Sequence, residues 1–181
     1  MSPINWGEHI IGYKEAGDIL LRYALEKGRQ NVLVYPVMFL YRHYIELQLK
    51  EIIINGRRYL GERRRFPLGH DINQLWQDCR SIVQAMDTNI EPNLTEEQRR
   101  EFEDLYDNLG SYINILGELD PNSQTFRYPI DRDGNPIEID FAAIYLKQLP
   151  ELINRIDYSL AGIATGVYDI LSDKEEWLSY G

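Results

Sequence analysis

Apolar residues recur at helical spacing through most of the chain, in five separable stretches. Between Glu8 and Lys27, Tyr13, Ala16, Leu20 and the pair Tyr23/Ala24 share one face, and Gly28 follows as a stop. A second helix is expected from Pro36, whose fixed φ suits a first helical position, to Ile54, ending at Asn55-Gly56. It is apolar nearly all round, as befits a helix in the middle of a bundle. Residues 56–69 read as a basic, Gly-containing loop. Asp71 with Gln74 has the spacing of a capping box and opens a third helix with the stripe Ile72, Leu75, Trp76, Cys79, Ile82, Val83 and Met86.

Asp87–Leu94 is polar enough for a connection. Thr95 with Gln98 forms a second capping box, and Phe102, Leu105, Tyr106, Leu109, Ile113 and Leu116 give the stripe of a fourth helix. The pattern then changes. Phe126–Ile130 and Pro136–Ile139 flank Asp133-Gly134, a turn signal that predicts a small β-hairpin or extended insertion over about residues 120–140. A closing helix is expected over about residues 142–171, with Pro150 kinking it or marking its true start, and a frayed tail over about 173–181. The fold class is all-α: one domain spanning residues 1–181, an up-and-down bundle of about five helices with the insertion before the last.

Composition narrows the classes of function. Apolar residues make up 44% of the 181 and charged residues 27%, ordinary for a folded domain with one core. A single cysteine, Cys79, excludes an intramolecular disulfide and fits a reducing compartment. No signal peptide opens the chain, and no apolar run approaches the roughly 20 residues needed to span a bilayer. A cytoplasmic protein with no membrane association is expected. The net charge of −10 argues against binding long duplex DNA. The charge is uneven, with 12 Lys and Arg against 9 Asp and Glu in residues 1–80, then 7 against 20 in residues 81–181. Arg57, Arg58, Arg63, Arg64 and Arg65 cluster in the basic half, where they could receive a phosphate or a short RNA segment. The plainer reading pairs them with the acidic half or a second subunit.

Candidate chemistry centres on Tyr41–Lys50. At 100° per residue His43, Glu46 and Lys50 fall within about 60° on one helix face, with Arg42 about 40° further round. Charges on an otherwise apolar helix need partners, and Asp71, Arg127 and the acidic residues of the first helix are the candidates. The arrangement reads either as a polar pocket, with His43 or Glu46 as acid/base and Arg42 or Arg127 binding an anion, or as a buried ion-pair network that sets helix register. His70, before a helix N-terminus, is a second acid/base candidate, and Arg127 on its irregular segment a third candidate position. Lys50 joins the arginine cluster as a nucleic-acid-binding candidate. His9, His43, His70 and Cys79 lack zinc spacing, and Asp131, Asp133 and Asn135 have Pro136 where a calcium loop needs Gly. No metal or cofactor is expected.

Three motifs in order resemble the HEPN superfamily of helical-bundle proteins over roughly residues 30–172. They are Glu46-Leu-Gln-Leu-Lys50-Glu-Ile-Ile on the central helix, Gly69-His70-Asp71-Ile72 with Leu75 at a helix start, and Phe126-Arg127-Tyr128-Pro129 before the closing helix. Arg42-His43 with Phe126–Pro129 and the turn at Asp131–Pro136 is similar, more narrowly, to a group of bacterial proteins of unassigned function. The resemblance implies a homodimer that binds RNA or a nucleotide in a bacterial phage-defence or toxin–antitoxin setting, and a metal-independent ribonuclease if it is catalytic. His43 or His70 would then be the acid/base, with Arg42 and Arg127 stabilising the phosphate. Ribonucleases of the superfamily place an Arg, then four to six residues, then a His on one helix. Here that spacing occurs only at Arg63, Arg64 or Arg65 with His70, across Pro67 and Gly69, and residues 142–171 contain no His. The other expectation is a non-enzymatic interaction module whose charged centre is structural and whose acidic half docks a protein partner.

Overall fold

The longest apolar stretch of the chain becomes the axis around which the rest is packed. In the computed structural model, which describes residues 6–62, 66–90, 95–121, 123–131, 133–137 and 146–180, five helices follow one another: α1 (Trp6–Glu26), α2 (Gln30–Tyr59), α3 (Ile72–Ile90), α4 (Glu96–Leu119) and α5 (Leu149–Ser179). Helix α2 packs against α1, α3 and α5, while α4 rests on α3 and α5. Val37, Ile45, Leu49, Ile52 and Ile53 of α2 are fully buried, as its all-round apolar pattern requires. The expected helical bundle is present.

Two ends of α2 differ from the sequence expectation. The helix begins at Gln30, before Pro36, because the Arg29 carbonyl accepts from Val32 N and Leu33 N at 3.1 and 3.0 Å. Val34 is then buried at 2% while Pro36 faces solvent. The helix also runs through Asn55-Gly56 to Tyr59. Gly56 is no stop: it is buried, and a Cβ placed on it would collide with Ile82 Cγ2 and press Met86 Sδ at 3.2 Å. Its lack of a side chain lets α2 and α3 approach closely. Arg57 and Arg58 therefore lie in the last turn of a helix rather than in a loop.

Both expected N-termini are seen. Asp71 Oδ1 accepts from Asn73 N and Gln74 N at 2.9 and 3.2 Å, although the Gln74 side chain turns to Asp78 instead of closing the box. At α4 the Thr95/Gln98 box is complete. Helix α3 continues to Ile90 through the start of the expected connection. Pro150 marks the start of α5, at its first turn, and the helix extends to Ser179 where a frayed tail is expected from the sequence.

The β-hairpin does not form among the described residues. The turn is there, with Gly134 at φ +84° and Gly134 N donating to Asp131 O at 3.2 Å. It closes a single antiparallel bridge, Ile130 to Pro136. Prolines at 129 and 136 remove the donors that further ladder bonds would use. Residues 138–145, where the second strand and the first turns of the closing helix are expected, lie outside the described residues. No described helix is long and apolar enough to cross a membrane.

Candidate functional site

Arg42, Glu46 and Lys50 stand one turn apart on α2, so their side chains form a ladder along one face. Arg42 Nη1 donates to Glu46 Oε2 at 3.1 Å, and Lys50 Nζ donates to Glu46 Oε1 at 2.9 Å. A fourth charge arrives from the end of α4. Arg42 Nε lies 3.2 Å from both the Asp120 carbonyl oxygen, to which it donates, and Asp120 Oδ2, which it holds by charge alone. Arg42 Nη2 donates to the His70 carbonyl at 2.6 Å, and the His70 ring meets Glu46 Oε1 through Nδ1 at 2.8 Å. The guanidinium fork thus ties α2 to the end of α4 and to the segment entering α3.

Asp120 is the partner not anticipated from the sequence. It caps α4 with non-helical φ/ψ, and its Oδ1 accepts from Gln124 N and Thr125 N at 2.7 and 2.9 Å. An Asp followed by Pro, Asn and Ser at a helix end is a turn signal, but its 78-residue separation from Arg42 left no local trace of the pairing. The anticipated partners are engaged elsewhere. Asp71 caps α3. Asp18 of α1 accepts from Tyr41 Oη at 2.8 Å and pairs with Lys14 at 3.0 Å. Asp157 of α5 accepts from Tyr44 Oη at 2.6 Å.

The centre is closed and charge-balanced. Side-chain exposure is 1% for Arg42, 2% for Glu46, 4% for Lys50 and 1% for Asp120. Two cations face two carboxylates, so no net charge is buried. Burial pushes the Glu46 carboxyl up, but hydrogen bonds from Lys50 and His70, and then their charges, outweigh it and hold the group below its ordinary 4.5. An ionised Glu46 can only accept, which places the His70 ring proton on Nδ1. Lys50 also lies over the Phe66 ring, 5.2 Å from its centroid.

The other candidates are dispersed. His43 does not join the ladder: its ring meets Tyr13 edge-on at 4.4 Å and stacks on Phe39 at 5.7 Å. Burial first of all lowers its pKa below 6.5. Nearby Glu46 opposes the shift, and Lys50, Arg42 and Arg127 reinforce it. Arg127 is exposed and does not enter the centre. Its Nε donates to Ser123 O at 2.5 Å, and its guanidinium lies over Phe39 and Tyr128. Arg57 approaches Glu62 at 3.8 Å, and Arg58 pairs with Glu175 of α5. Arg63, Arg64 and Arg65 lie outside the described residues. No group of three or more His, Cys, Asp or Glu among the described residues is placed to hold a metal ion.

A second feature lies on the opposite part of the bundle. Between α3, α4 and α5 runs a groove of about 840 Å³, floored by Met86 and Tyr106 and walled by Phe102, Leu105 and Tyr158. Phe102 and Leu105, expected in the stripe of the fourth helix, are 45% and 37% exposed there. No protein-family model matches the chain, nor does any curated protein or solved structure.

Proposed function

We propose that the chain is a non-enzymatic interaction module: its charged centre is a scaffold, and its acidic half meets a protein partner. The observation that carries this reading is the closure of the centre. Arg42, Glu46, Lys50 and Asp120 pair with one another at 4% side-chain exposure or less, Asp120 Oδ2 by charge alone, so Arg42 and Glu46 would have to abandon each other to touch a substrate. Opening such a cluster leaves uncompensated charges in the core, at a cost of several kcal/mol.

A second reading rests on His70. Its ring is 61% exposed while Nδ1 is held by the buried Glu46 carboxylate. A carboxylate-oriented imidazole with Nε2 toward water is a competent general base or acid. With the HEPN resemblance, this supports an RNA- or nucleotide-binding protein, with metal-independent cleavage of RNA in a bacterial defence or toxin–antitoxin setting. Among the described residues the reading is weakened because Arg42 is committed inside the core and Arg127 is stacked over Phe39 and Tyr128.

Incubation with a mixed RNA pool in EDTA separates the two. Wild type is compared with His43→Ala and His70→Ala proteins shown by circular dichroism to be folded. The interaction module produces no cleavage in any of the three. Cleavage by wild type that disappears in folded His70→Ala overturns it in favour of the nuclease.

A further inference from the structure

The groove between α3, α4 and α5 has the shape and charge of a helix receptor. Its apolar floor and walls are interrupted on the α5 side by Gly162 and Gly166, one turn apart, and a Cβ placed on either would meet nothing within 4 Å. The α5 backbone is therefore bare toward the groove, which lets a second helix approach more closely than ordinary side chains allow. A smaller hollow continues the groove past Leu105, Asn154 and Tyr158 to Glu151 and Tyr112. From Glu151 to Ile170 the trough follows about 28 Å of α5, the length of a five-turn helix.

Charge identifies the occupant. The main groove is lined by two carboxylates, Asp87 and Asp157, the latter also facing Lys14 at 3.6 Å and Tyr44 Oη at 2.6 Å, and by no Lys or Arg. Arg155, in the smaller hollow, is already held by Glu151 at 2.7 Å. The exposed positions of α4 include Glu101, Glu103 and Asp104 beside Arg99 and Arg100, and those of α5 include Asp169 and Asp173 beside Lys174, so carboxylates outnumber cations on both helices. A second copy of this chain would bring its own acidic α4 and α5 against these carboxylates, and like charges across an interface cost affinity.

We propose that this trough docks a basic amphipathic helix of a different protein. Its apolar face would be spaced i, i+3, i+4, i+7 against Phe102, Leu105 and Tyr158, and its Lys and Arg would face the carboxylates of α4 and α5. The inference rests on the interaction-module reading and names the face and the partner chemistry.

The test uses the full chain and a fluorescent Leu/Ala/Lys peptide of about 18 residues with one apolar face. A control peptide keeps that face and replaces every Lys by Glu. Binding is followed by anisotropy, for wild type and for Gly162→Leu and Gly166→Leu. The glycine variants fill open space on a helix and raise its helical propensity, so they fold at least as well as wild type. The Lys peptide is expected to bind, the Glu peptide not, and each variant to weaken binding by about tenfold or more. Equal binding of both peptides, no binding of either, or binding indifferent to the glycine variants overturns the proposal. Sedimentation showing a dimer that Gly166→Leu dissociates overturns it too, making a second copy the occupant. The RNA assay on the same proteins separates the two failures. Absent peptide binding without RNA cleavage moves the docking face elsewhere, whereas His70-dependent cleavage removes the interaction-module reading itself.

Discussion

His70 Nδ1 and Glu46 Oε1 lie 2.8 Å apart across the boundary between water and core, the histidine side chain 61% exposed and the glutamate 2%. Among the described members of the charged centre, the imidazole is the one that meets solvent. The same residue is anchored twice, since its carbonyl accepts from Arg42 Nη2. Ring and backbone both fasten the segment entering α3 to α2, and Asp120 fastens the segment leaving α4 to the same guanidinium. One side chain organises two crossings of the bundle.

Arg42→Ala is expected to destabilise the protein by about 3–5 kcal/mol, because it leaves Asp120 and Glu46 as buried carboxylates short of a cation. Arg42→Lys should recover little of this, since an ammonium on a shorter stem cannot reach the Asp120 carbonyl, Glu46 and the His70 carbonyl together. Urea unfolding of the three proteins measures both. A loss under about 1 kcal/mol for Arg42→Ala, the range of an exposed ion pair, would show that the cluster is solvated.

How much of this was legible beforehand depended on range. Capping boxes and apolar stripes are local, and Thr95/Gln98, the Asp71 cap and the core faces of α2 and α3 were readable residue by residue. The i,i+4 order of Arg42, Glu46 and Lys50 is local as well, yet the helical projection groups His43 with Glu46 and Lys50 and sends their pairing to other elements. Asp120 left no local signal, because its pairing with Arg42 is decided by where the end of α4 meets α2, 78 residues away in sequence. Gly56 misled for a related reason: a glycine near a helix end signals a stop unless a neighbouring helix requires the space, and Ile82 lies in another element. Phe102 and Leu105 share the period of core residues, and periodicity cannot tell a stripe facing the core from one lining an open groove. Pro150 sits in the first turn of α5, whereas Pro36 lies inside α2, which starts at Gln30 and buries Val34 ahead of the proline.

Stability should fall in two steps as pH drops. His43 has a folded pKa below its ordinary 6.5, chiefly through burial. The unfolded chain then takes up a proton more readily, so the contribution is full above 6.5 and lost as pH falls toward the folded value. Glu46, held below 4.5 as Lys50 and His70 outweigh the effect of burial, contributes fully above 4.5 and loses this as pH falls through its folded pKa. Urea midpoints against pH should show both declines in wild type. His43→Phe, which keeps an aromatic ring beside Tyr13 and Phe39, should lose the upper one alone. Parallel profiles for the two proteins over about pH 5–7 would exclude His43 as the titrating group.

Gly56→Ala sets two effects against each other. Alanine stabilises a helix interior by about 1 kcal/mol over glycine, but its Cβ would strike Ile82 Cγ2. Overpacking of a close helix crossing costs about 1–3 kcal/mol, and both helices are rigid there, so the steric cost wins. The variant should melt below wild type, and Ile82→Ala in the same chain should recover part of the loss. Additive destabilisation in the double variant would mean that α2 and α3 are not in contact at Gly56.

Cys79 gives a probe of how the bundle opens. Its side chain is 0% exposed, and burial, helped by Asp78, pushes the thiol up to about 12. At neutral pH essentially no thiolate is present in the folded protein, and access requires α3 to leave the core. A thiol reagent should label the native chain only as fast as it opens, and label it stoichiometrically in denaturant. Arg42→Ala should accelerate native-state labelling by a factor matching its loss of global stability, because the cluster holds both ends of the α3–α4 pair against α2. If labelling accelerates far less than stability falls, α3 opens as a local unit without breaking the Arg42 bonds. The charged centre would then stabilise α2 and α4 but not the helix that carries Cys79.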